Sequence, residues 1–186
     1  MSLEIERLEQ ELAEAKQRLA EARRKIAKQE TQDYEFKSPD SGSARLFELF
    51  GGRPDLLVIH NMGKGCTYCT LWADGFNGVV KHLEDRAAFA VASPDPPEVQ
   101  AEFAASRGWN LRMVSARGTS FFKDMGFENE KRKAQPGVSA FHRDSAGNVF
   151  RTGHAGFGPG DDFCATFHLF DLLEGGAGDW GPRLKY

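Results

Sequence analysis

The sequence predicts an α/β domain on a mixed sheet covered on both faces, preceded by one long charged helix. Three observations carry that expectation. Short apolar, β-branched runs alternate with stretches of helical periodicity through the middle of the chain, which implies βαβ units and parallel pairing. A hairpin signature follows, around Asp144-Ser145-Ala146-Gly147-Asn148. An uninterrupted three-four repeat of apolar positions fills the start of the chain.

That repeat, Ile5, Leu8, Leu12, Ala15, Leu19, Ala22 and Ile26, predicts one helix over residues 3–29 and a division into an N-terminal amphipathic helix, 1–30, and a main domain, 31–186. Glutamates crowd its front and Arg23, Arg24, Lys25 and Lys28 its back, as the helix dipole prefers. Its seam is narrow and partly alanine. It suits a helix lying along its own domain or a neighbouring subunit better than a free zipper, and a homodimer through this helix is the expected partner.

Tyr34 to Lys37 reads as a short strand, 39–43 as a turn, and Leu46 to Phe50 as one apolar helical turn ended by Gly51-Gly52. Leu56 to His60 is a buried strand. Leu71, Trp72, Phe76, Val79 and Val80 then recur at helical spacing, and Ala87 to Ser93 is a second apolar strand. Pro96-Pro97 opens a helix that Gly108 ends, and Leu111 to Val114 returns as a strand. The hairpin pairs Val138–Arg143 with Val149–His154. A last helix is expected to open at Asp161-Asp162, carry Phe163, Phe167, Phe170 and Leu173, and end at Gly175-Gly176.

A net charge of −3 gives no footprint for nucleic acid, and the basic cluster Lys131-Arg132-Lys133 lies beside Glu128 and Glu130. No apolar run reaches the ~20 residues a membrane span needs, and the charged N-terminus has no secretory core, so a cytoplasmic protein without nucleic-acid or membrane partners is expected. Three cysteines are too few for a stapled secreted scaffold.

The candidate site is Gly63-Lys64-Gly65-Cys66-Thr67-Tyr68-Cys69, lying between a strand and a helix. A thiol at a helix start meets free backbone N–H groups and the positive dipole end, both of which favour the thiolate. Cys66 is therefore the expected nucleophile and Cys69 the resolving thiol. A zinc site would need two further ligands at short spacing, and the five histidines are scattered singly; no metal or cofactor is expected. Lys64 could add charge beside Cys66 or be merely solvated, and Tyr68 could form a lip over a substrate or simply pack. Cys164, among phenylalanines, reads as a small buried hydrophobe, and Trp72 as core.

The order of elements, with Cys-x-x-Cys heading the helix after the first long strand, resembles the thioredoxin fold, and Ser43 to Gly52 resembles the lead-in of peroxiredoxin-like members. Asp33-Tyr34-Glu35-Phe36, Leu49-Phe50-Gly51-Gly52-Arg53, the run from Cys66 to Phe76 and the run from Gly137 to Asp144 are similar to the bacterial thioredoxin-like family filed as domain of unknown function number eight-nine-nine. The resemblance implies a thioredoxin-like three-layer fold and, less directly, thiol-disulfide exchange or peroxide reduction on a protein or small-molecule substrate. A scaffold protein acting through its N-terminal helix, with the cysteines idle, is the other reading. Thioredoxins carry Trp before the first Cys and Gly-Pro within the pair, whereas Gly65 and Thr67-Tyr68 stand here, which leaves the electron donor open. The resemblance also implies a cis-proline opposite the cysteines, for which Pro136 is the candidate, with an ordinary trans proline as the alternative. By the same resemblance His60 takes the place of a buried acid assisting Cys69, unless the strand register turns it into a core histidine.

Overall fold

In the computed structural model, which describes residues 2–186, the chain forms one eight-stranded mixed sheet with helices on either side. Helix α1 spans Leu3–Arg24, capped by the Ser2 hydroxyl, which accepts from the Glu4 amide at 3.3 Å. It stops short of the expected residue 29. Strand β1, Gln29–Glu30, follows and pairs with the hairpin, so the last residues assigned from sequence to the helical segment belong to the sheet. Strands β2 (Glu35–Ser38) and β3 (Gly42–Arg45) form an edge hairpin, and a 3-10 turn, Leu46–Phe50, ends at Gly51 in the left-handed region. The β3 strand, from a polar Gly-Ser-Ala-Arg stretch, carries no apolar alternation to predict it.

The central elements are β4 (Asp55–His60), α2 (Thr67–Arg86), β5 (Ala88–Ser93), α3 (Pro97–Arg107) and β6 (Met113–Ser115), followed by the short α4 (Phe121–Asp124). Strands β4, β5 and β6 run parallel, as the βαβ succession predicts. The hairpin β7 (Gly137–Arg143) and β8 (Val149–Gly156) docks antiparallel on β4, and α5 (Ala165–Phe170) closes the series. The sheet order is β1-β8-β7-β4-β5-β6-β2-β3.

Alternation along β4 divides the core. Leu56, Val58 and His60 enter a buried layer with Phe36, Phe50, Phe121, Phe127 and Phe141 on one face. Ile59 and Leu57 face the other, where Ala73 and Val80 of α2 pack with Phe89, Val91 and Trp109. Asp74 of α2 accepts from Arg107 and from Trp109 Nε1 (2.7 Å), tying α2 to α3.

Two further expectations about the helices need correction. The final helix starts after Cys164 rather than at Asp161, because Asp161 accepts from the Gly158 and Phe163 amides (2.9 and 2.7 Å) and so closes a loop instead of capping a helix. The seam of α1 is not buried on its own domain: Leu3, Ile5, Leu8, Leu12, Leu19 and Ile26 are all exposed, and no residue of α1 is buried. A Lys16–Asp162 ion pair at 2.6 Å is its anchor to the last segment. No helix among the described residues is long and apolar enough to cross a membrane.

Candidate active site

The site forms where the chain leaves the C-terminal end of β4 and turns into α2. The end of a strand inside a parallel pair is where loops from neighbouring strands converge. The Asn61 amide donates to Ala92 O at 2.8 Å, prolonging the sheet by one step, and the Asn61 Oδ1 accepts from the Gly63 amide at 2.8 Å. Gly63 takes φ +104°, which favours glycine, and a Cβ there would lie 2.8 Å from the Asp95 carboxylate. Asp95 also accepts from the Lys64 amide at 2.7 Å. The loop is therefore held from two strands at once, by Asn61 beyond β4 and Asp95 beyond β5.

Cys66 is the N-cap of α2. Its sulfur accepts from the Cys69 amide at 3.1 Å, in the position a capping hydroxyl or carboxylate usually fills. The two thiols are chemically unequal. Cys66 is half-buried and its pKa is lowered from 9.0 to about 6, chiefly by the hydrogen bond from the Cys69 thiol, aided by the Cys69 and Tyr68 amides and opposed by partial burial. Cys69 is 3% exposed, and the same hydrogen bond together with burial pushes its thiol far up. Its sulfur accepts from the Met62 amide at 3.4 Å. All three cysteines are free thiols.

The depression at Cys66 arises from hydrogen bonds rather than from Lys64, which is exposed and lines a shallow cleft with Val99, Glu102 and Phe103 of α3. Tyr68 stacks on Phe167 at 6.3 Å and 7°, and touches Trp72. It is part of an aromatic wall that continues through Trp72 to Phe157, and through Phe167 to Trp180. Trp72 is buried, as read from sequence, with Nε1 donating to Asp161 at 3.4 Å, and Cys164 is buried too.

His60 is not brought to the cysteines. It is 0% exposed, stacks on Phe127 (4.1 Å) and Phe121 (5.1 Å), and pairs Nε2 with the Ser139 hydroxyl at 2.9 Å. Burial holds its pKa well below 6.5, so the ring is neutral. The reason is strand alternation: α2 covers the Ile59 face of β4, and His60 points to the opposite one. Pro136 precedes Gly137, which pairs with His60 at the end of β4. Its bond is trans, since no peptide bond among the described residues is cis. The sequence reading missed Asn61, Met62 and Asp95. An Asn two residues before a glycine at a strand end is a local turn signal for the first; nothing local marks Asp95, which arrives from the next strand.

A thioredoxin-like domain carrying a Cys-x-x-Cys pair at the head of its first core helix is the class that this fold and loop define. Among solved structures the chain is similar to peroxidoxin BcpB from Mycobacterium tuberculosis (22% identity, TM-score 0.52, covering 69% of this chain and 84% of that one). It is also similar to reduced Prx3 in complex with H2O2 from Vibrio vulnificus (17%, TM-score 0.57, 73% and 90%) and to the bacterioferritin comigratory protein of Xanthomonas campestris (12%, TM-score 0.55, 66% and 80%). At these identities the likeness shows the fold. A search of curated proteins finds no match. The model of a family described as bacterial protein of unknown function, DUF899, matches residues 4–182, and the chain belongs to that family.

Proposed function

We propose that the protein is a thiol-disulfide oxidoreductase with peroxide-reducing capacity, in which Cys66 is the nucleophile and Cys69 the resolving thiol. The observation that carries this is the asymmetry of the pair: a half-buried Cys66 sulfur that caps α2 and accepts from the Cys69 amide at 3.1 Å, with its pKa lowered to about 6, beside a Cys69 thiol that is 3% exposed and pushed far up in pKa by its neighbour and by burial. With a peroxide, the Cys66 thiolate attacks one peroxide oxygen, the O–O bond breaks, an alcohol or water leaves after taking a proton, and Cys66 becomes a sulfenic acid. Cys69 then attacks the Cys66 sulfur, the S–O bond breaks, water leaves with the Cys69 proton, and the disulfide forms. Loss of the negative charge on Cys66 in the first step removes a cause of the raised Cys69 pKa, so the first step prepares the second. A dithiol or thiol reductant returns the pair to the reduced state. With a substrate disulfide the same thiolate attacks one sulfur, the substrate S–S bond breaks and one substrate thiolate leaves; Cys69 then attacks the Cys66 sulfur of the mixed disulfide, the second substrate thiol leaves with the Cys69 proton, and the Cys66–Cys69 disulfide forms. One structural neighbour named a peroxidoxin, and another solved in complex with H2O2, support peroxide as the substrate to try first.

The test is mass-resolved reaction with hydrogen peroxide and with a model disulfide. Wild type is expected to form an intramolecular disulfide that a dithiol reverses, Cys69→Ser a dimedone-trapped sulfenic acid, and Cys66→Ser neither. Alkylation of Cys66 at pH 6 no faster than that of free cysteine would reject the proposal.

A second role is favoured by one observation, the apolar seam of α1 left open to solvent. Pairing of that seam with a second copy would bury it. An antiparallel arrangement sets Glu4, Glu6, Glu9 and Glu11 of one helix opposite Arg18, Arg23, Arg24 and Lys25 of the other, whereas a parallel one sets like charges together.

A further inference from the structure

Arg151, in β8, is a charge the thiol chemistry does not use. Its side chain lies in the core face of the sheet, 7% exposed, with the guanidinium carbon 5.8 Å from the centre of the Phe127 ring. One amino group, Nη2, donates to Met125 O at 2.9 Å, and the buried Nε has no partner. No ion pair to Arg151 exists among the described residues, although buried cations ordinarily sit against a carboxylate.

A cleft of about 580 Å³ opens beside it, walled by Arg151, Lys123, Asp124, Gln135, His154 and Phe157. That volume suits a small metabolite. Asp124 is the carboxylate of this wall, and it is already occupied: it accepts from Ser120 Oγ (2.5 Å), Tyr34 Oη (2.8 Å) and Gln32 Nε2 (3.3 Å). Lys123 adds a second cation and Gln135 an amide, while Phe127 and Phe157 give an apolar flank.

We propose that this cleft binds a small oxyanion, the carboxylate or phosphate group of a metabolite, which supplies the counter-charge that buried Arg151 lacks. A guanidinium matches planar or tetrahedral oxyanions through paired N–H donors, which singles out this class over a halide. Pro136 also lines the cleft and precedes Gly137, the partner of His60, so the anion would sit at the end of the sheet from which the cysteine loop departs. The proposal does not depend on any reactivity of Cys66.

The experiment is thermal unfolding of the full-length reduced protein at pH 7 in chloride, inorganic phosphate and succinate at matched ionic strength. Wild type is expected to gain roughly 5 °C at saturation in phosphate, in succinate or in both, a ligand-linkage shift for a chain of this size. A response to phosphate alone assigns a phosphate-bearing ligand, and one to succinate alone a carboxylate. Arg151→Met is expected to melt no lower than wild type in chloride and to lose the anion response, since removing a buried unpaired cation relieves its desolvation. Lys123→Ala, on the exposed wall, keeps the core untouched and is expected to raise the half-saturating concentration roughly tenfold, about the loss of one charge-assisted contact. If neither anion moves the wild-type transition relative to chloride, or if Lys123→Ala responds at the same concentrations as wild type, the proposal is overturned.

Discussion

The separation in acidity between Cys66 and Cys69 comes chiefly from the interaction of the two thiols, with burial raising Cys69 further and the Cys69 and Tyr68 amides helping to lower Cys66. Removing the Cys69 thiol tests this directly. In Cys69→Ala the Cys66 sulfur keeps its amide partners but loses the thiol hydrogen bond, so the midpoint of its alkylation-rate profile should rise from near 6 toward ordinary thiol values. Stability has a matching sign. A depressed acid stabilises the reduced fold fully above its unfolded pKa and loses that contribution as pH falls through about 6. His60 works in the same direction for a different reason: neutral when folded and protonatable when unfolded, it makes stability fall as pH drops below 6.5 toward its depressed folded value. His60→Gln should cost about 1–3 kcal/mol in denaturant unfolding by disturbing the Ser139 bond and the phenylalanine box. The Cys66 rate profile should stay where it was. A shifted profile would restore the catalytic role that the geometry denies to this histidine.

At the scale of elements, the strand-loop-helix unit was legible because each of its signals is local: a β-branched run, two glycines, and a helical apolar stripe beginning just past Cys66. The facing of His60 was not, since period-two alternation says which residues share a side but not which side α2 covers. Asp95 escaped for a related reason, as its role depends on the parallel register of β5 beside β4. The long apolar run from Phe163 to Leu173 suggested a longer final helix. Its aromatic residues instead satisfy partners on α2 and in the C-terminal segment, through Tyr68–Phe167 and Phe170–Trp180, leaving a short α5. A tight element in the site is the Gly63 turn. Gly63→Ala adds a left-handed β-carbon against the Asp95 carboxylate, and should cost about 1–3 kcal/mol while slowing Cys66 alkylation as the loop shifts. The companion change Asp95→Asn, which keeps an acceptor for the Lys64 amide, should leave both quantities nearly unchanged.

For the whole molecule, the open question that the sequence posed was what α1 lies against, and its own domain covers none of the seam. For the dimer proposed above, Leu12→Glu together with Leu19→Glu changes only exposed positions, so folding should be preserved while light scattering reports a halved mass. An unchanged mass would remove the helix from the assembly. The two-residue strand β1 has a consequence of its own for this arrangement. It pairs with β8 only at Phe150 and Arg151, which leaves the outer backbone of Thr152 to Gly156 without a strand partner. Arg23, Arg24 and Lys28, at the end of α1 and just beyond it, stand around that stretch, and like charges on approaching copies discourage edge-to-edge joining there. Neutralising these residues as Arg23→Gln, Arg24→Gln and Lys28→Gln should therefore shorten the shelf life of concentrated solutions, with turbidity growing faster on warming while the unfolding midpoint hardly moves. The helix in front of the domain would then act as a guard against fibrous self-addition as much as a handle for a second copy.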